Sequence, residues 1–94
     1  MAKLKAPPGF LDQLKDALSD ELKAVGIDAE VSAQPIPTTR LYRVLVMAPK
    51  FKALKHSERQ NLVWRIAERV LAPEEQMRIS MILTLTRDEA NGGG

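Results

Sequence analysis

Side chains able to do chemistry are few in this 94-residue chain. It has one histidine, His56, and no cysteine, so disulfides and thiolate ligation of zinc or of an iron–sulfur cluster are beyond this chain alone. Acid–base catalysis needs titratable groups that converge in a cleft. The carboxylates here fall mostly on expected solvent-facing helix positions or in the C-terminal tail, and Glu58 beside Arg59 reads as favourable charge at a helix start. Neither a glycine-rich phosphate loop nor a metal-ligand spacing occurs. The residues point away from an enzyme: no catalytic residue is expected, and His56 is the one weak candidate for a metal.

The basic residues carry a different chemistry. The formal net charge of +2 hides an uneven distribution: residues 37–72 hold eight Lys/Arg against two Asp/Glu, whereas each flanking segment is net acidic. Such polarity steers polyanionic partners. Lys50, Lys52, Lys55, Arg59 and Arg65 are the candidate phosphate contacts, and contacts of that kind release counterions and weaken steeply with salt. Aromatic interleaving for base stacking is thin, because only Phe51 and Trp64 lie among the candidate contacts at 50–65 and Phe51 suits the core better.

The length and a 45% apolar content suit one small globular domain. Residues 1–9 read as a loose arm ending in Pro7-Pro8-Gly9. From Phe10, apolar residues recur at three- and four-residue steps through Leu11, Leu14, Leu18, Leu22 and Val25, an amphipathic helix stopped at Gly26. Residues 27–34 alternate apolar and polar, which predicts a half-buried strand interrupted at Pro35. Residues 41–48 form the most apolar strand, closed by Pro49.

A basic connector over 50–56 follows, with one helical turn anchored by Phe51 and Leu54. Ser57 with Gln60 three residues on predicts a capping box at the start of a long helix, leaving His56 outside it. Pro73 ends that helix. Met77, Ile79, Met81, Leu83 and Leu85 then alternate with mostly polar residues, Ile82 being the exception, and predict a third strand with one wet face. Residues 90–94 read as a disordered glycine-rich tail. The expected fold is α+β: a two-layer sandwich in the order αββααβ, with a three-stranded mixed sheet and both helices on one face.

That order is the type II KH topology, which nucleic-acid-binding KH domains share with the BolA family. A KH domain needs a G-x-x-G loop between its helices, and residues 51–57 contain no glycine. The BolA resemblance is more specific. Residues 41–51, LYRVLVMAPKF, resemble the family's strand that ends in a phenylalanine; 57–63, SERQNLV, resemble its R-H-R-[LM]-V signature; and 85–89, LTRDE, are similar to its T-P-E-E ending. The resemblance spans about residues 10–89 and implies a regulatory, stress-response-type protein of the BolA kind.

It also implies that the signature histidine, with a histidine or cysteine in the loop between strands one and two, ligates a [2Fe–2S] cluster shared with a monothiol glutaredoxin. Gln60 occupies the signature position and residues 34–40 contain neither ligand type, so no cofactor is expected. His56, four residues before Gln60, is the only imidazole near enough to substitute.

Two functions follow from these readings. The first is a non-enzymatic BolA-like adaptor that binds a protein partner, a monothiol glutaredoxin being one candidate, through Gln60, Trp64 and His56. The alternative is a DNA- or RNA-binding regulator that uses the basic block. The N-terminal residues lack a signal-peptide apolar run and no stretch approaches a membrane span. A cytoplasmic monomer or weak homodimer without membrane contact is therefore expected.

Overall fold

The computed structural model describes residues 9–92. Its elements are α1 (Gly9–Ala24), β1 (Glu30–Pro35), β2 (Tyr42–Met47), a 3-10 turn (Pro49–Ala53), α2 (His56–Val70), α3 (Pro73–Gln76), β3 (Ile79–Leu85) and α4 (Arg87–Ala90). The sheet order is β1-β2-β3, with β1 antiparallel and β3 parallel to β2. Helices α1 and α2 pack on one face, as the sequence predicts. Gly9, expected in the arm, opens α1, and Ala90, expected in the tail, closes α4. The rest of the expected arm and the last two tail glycines lie outside the described residues.

Helix α1 buries Phe10, Leu11, Leu14, Leu18 and Leu22, one stripe at helical spacing. Gly26 at φ +84° ends it in a Schellman motif: its N–H donates to Lys23 O at 2.9 Å and the Ile27 N–H to Leu22 O at 2.8 Å. Both apolar partners of that motif, Leu22 and Ile27, are buried. Val25, expected on the apolar stripe, instead flanks the cap and is exposed, because the helical stripe ends with Leu22. The first strand also starts later than expected, at Glu30, since the helix cap consumes the backbone groups of residues 25–27.

The β1–β2 connection holds a turn over residues 36–39, closed by the Thr39 N–H donating to Ile36 O, with Pro37 and Thr38 at its centre. Thr38 sits at φ 65°, a left-handed conformation unusual for a β-branched residue. Pro35 ends β1 as its last paired residue, on a strand at the sheet edge where a missing N–H is tolerated.

The register changes the expected two-sidedness of β3. Tyr42 pairs with Ile79 but Arg43 pairs with Met81, so Ser80 is an extra residue, a bulge in a parallel ladder. Beyond it the side-chain phase is reversed, and Ile82 and Thr84 join Ile79 in the interior. Met81, Leu83 and Leu85 therefore lie on the face without helices, and Met77 precedes the strand, 77% exposed. Ile82, the exception to the sequence alternation, is a core residue. The uncovered face is a grid of three rows: Glu30, Met47, Leu85; Ser32, Leu45, Leu83; and Gln34, Arg43, Met81. It is apolar along β3 and polar along β1, not polar throughout.

The connector buries Phe51 completely, and Leu54 partly. Helix α2 begins two residues earlier than the sequence predicts, its cap moving from Ser57 to Lys55. Its N-cap is Lys55, whose backbone N–H donates to Glu58 Oε1 at 2.8 Å, while His56 is the first helical residue and Ser57 the second. Glu58 supplies the capping carboxylate because Gln60 is engaged elsewhere. After α2, Pro73 starts α3, a single turn whose Glu75 side chain accepts from the Ala72 N–H.

Candidate functional site

Two adjacent α2 residues, Arg59 and Gln60, fasten the helix to the outer edge of β3. Leu85 O accepts from Ala48 N–H of the chain leaving β2, so alternate residues Ile82 and Thr84 turn their backbone groups away from the sheet. Those outward carbonyls accept from side chains: Gln60 Nε2 reaches Ile82 O at 2.8 Å and Arg59 Nη1 reaches Thr84 O at 3.0 Å. Gln60 Nε2 also lies 3.1 Å from Thr84 Oγ1, which explains how a threonine is fully buried.

Arg59 is 7% exposed and makes more bonds than its position in a basic block suggests. Its Nε donates to Leu54 O at 3.2 Å, its Nη1 to Glu89 Oε1 at 2.9 Å, and its guanidinium stacks 5.6 Å from the Phe51 ring centroid. Glu89 in turn closes a capping box with Thr86, accepting from the Thr86 N–H while Thr86 Oγ1 accepts from Glu89 N–H. The Thr86 backbone bond, first, and the Arg59 guanidinium, second, hold the Glu89 carboxyl below the usual carboxylate range. T-x-x-E at 86–89 is a capping signature visible in the sequence; the reach of Arg59 to it across 30 residues is not.

The expected partner residues form one stripe on α2. His56, Gln60 and Trp64 recur at four-residue steps, and the Trp64 indole N–H donates to Gln60 Oε1 at 3.2 Å. Trp64 is half-buried and His56 exposed. Leu71, seven residues after Trp64 at the C-cap of the helix, is in the core.

Among the expected phosphate contacts, Lys50, Lys52, Lys55 and Arg65 are exposed. Lys50 and Lys52 lie in the 3-10 turn and Lys55 caps α2, so three lysines occupy one six-residue connector, whereas Arg65 lies on the exposed side of the helix. Arg59 departs from its expected place at this surface: its cation is committed internally.

Both ends of the Gln60 amide are engaged, with Ile82, Thr84 and Trp64, and an amide is a poor donor to a soft centre. His56 stands alone beside it, since no group of three or more His, Cys, Asp or Glu is arranged to hold a metal among the described residues. No helix among them is long and apolar enough to cross a membrane. No protein-family model, curated protein or solved structure matches the chain.

Proposed function

We propose that this chain is a non-enzymatic BolA-like adaptor that binds a protein partner along the His56–Gln60–Trp64 stripe. The observation that carries this reading is the bond from the Trp64 indole to Gln60, itself tied to β3. It holds a half-buried aromatic in one orientation on a rigid helix, and preorganised tryptophans are favoured anchors at interfaces. The BolA resemblance supplies the candidate partner, a monothiol glutaredoxin, and the committed Gln60 amide favours docking without cluster transfer.

Titration with cluster-free monothiol glutaredoxin is expected to shift Trp64 emission saturably, and Trp64→Ala to weaken calorimetric binding by about 30-fold, as for an interface hot spot. A cluster-loaded glutaredoxin is expected to keep its visible spectrum on mixing. Absence of any heat or emission change up to about 100 μM, a limit equivalent to about −5.5 kcal/mol, removes glutaredoxin as the partner.

A second reading, nucleic-acid binding, is favoured by Lys50, Lys52 and Lys55: all exposed, close in sequence, and none in an ion pair among the described residues. Three phosphate contacts on duplex DNA would give a slope of about −2.7 in log affinity against log salt. No binding to a labelled duplex or single strand at low salt excludes this reading.

A further inference from the structure

We propose that the uncovered face of the sheet is a self-association surface, on which two copies stack sheet against sheet about a two-fold axis running across the strands through the Ser32–Leu45–Leu83 row. The register selects this arrangement. Rotation about that axis lays each strand over its own counterpart in reversed direction, so the apolar β3 column meets an apolar β3 column and the polar β1 column meets a polar one. An axis parallel to the strands would set Glu30 and Ser32 of one copy against leucines of the other, leaving polar groups desolvated without partners.

Charge supports the same choice. Glu30 lies in the first row and Arg43 in the third, on neighbouring strands. Reversal brings each Arg43 beside the Glu30 of the second copy, about 5 Å to the side and about 10 Å across the sheet gap, within the combined reach of the two side chains. Both are free to make this pair. Glu30 has only a 3.8 Å approach to Arg87, each about 70% exposed, and Arg43 only a 3.5 Å bond to Gln34. The self-complementary patch is what an isologous dimer requires.

The face measures about 14 by 20 Å, taking three strands of six residues, so it is smaller than the roughly 800 Å² per partner of a standard stable interface. The dimer is accordingly weak and concentration-dependent.

Sedimentation equilibrium from about 10 μM to about 1 mM, a window matched to a small interface, tests the proposal. Wild type is expected to show a monomer–dimer equilibrium. Arg43→Glu or Glu30→Arg should each weaken it about tenfold, since two symmetry-related pairs turn repulsive at once. The double exchange Arg43→Glu with Glu30→Arg should restore it to within about threefold, because the pairs are rebuilt with their signs reversed. Leu83→Lys should abolish it. All these positions lie on the uncovered face, and thermal melts verify that each variant folds. A wild type monomeric throughout, as for a face reserved for a different protein, overturns the proposal. So does a double variant no better than the singles.

Discussion

At the scale of the residue, Arg59 shows how burial redirects a charge. A cation in a basic block would ordinarily be solvated, but Arg59 supplies donors to two backbone carbonyls and a carboxylate while its plane covers Phe51. Replacing it with leucine would strip the buried Thr84 carbonyl of its donor, whereas Glu89, its side chain 46% exposed, can rehydrate. Arg59→Leu is therefore expected to cost about 2 kcal/mol in chemical denaturation, with Arg59→Lys intermediate because it keeps the charge but loses the planar fork. Glu89 adds a pH dependence. Its carboxyl is held below the ordinary value of 4.5, so its contribution is present at higher pH and is lost as pH falls through the lowered folded-state value. Compared with Glu89→Gln, wild type should have a constant advantage well above pH 4.5 that disappears in acid.

At the scale of the element, termini were legible where one residue type dictates the geometry. Gly26 is the clearest case: the left-handed cap needs a residue without Cβ, and an added Cβ would meet only Lys50 Nζ at 3.9 Å. Gly26→Ala should cost about 1 kcal/mol, a conformational cost with no clash, readable as a lowered melting temperature. The α1 stripe, the β2 strand and the Phe51 anchor were equally readable, because each depends on local apolar spacing. The phase of β3 was not. Seven residues of near-regular alternation predict Met81, Leu83 and Leu85 inside, but one extra residue at Ser80 reverses the pleat, and in the sequence only Ile82, the single break in the alternation, marks it. The α2 start was displaced for a related reason. Ser57 and Gln60 have the spacing of a capping box, yet Gln60 makes stronger use of its amide at β3, and Glu58 caps instead.

At the scale of the whole molecule, the parallel pairing of β2 and β3 requires a crossover, and α2 is that crossover. The layer order was legible because its elements alternate in a pattern that only a few topologies satisfy. The site was legible only in part: Gln60 and Trp64 share a face as helical spacing dictates, but His56, expected outside the helix, joins them only because α2 starts at His56, and the contacts of Gln60 and Arg59 with β3 depend on tertiary placement. Those contacts leave a signature in amide hydrogen exchange. Gln60 and Arg59 satisfy carbonyls on the outer edge of β3, but the outward Ile82 and Thr84 N–H groups have no acceptor among the described residues. Deuterium uptake along β3 should therefore alternate, slow at Leu83 and Leu85 and fast at Ile82 and Thr84, although Thr84 is fully buried by its side chain. Uniform protection along the strand would mean that a second strand or segment covers this edge in solution.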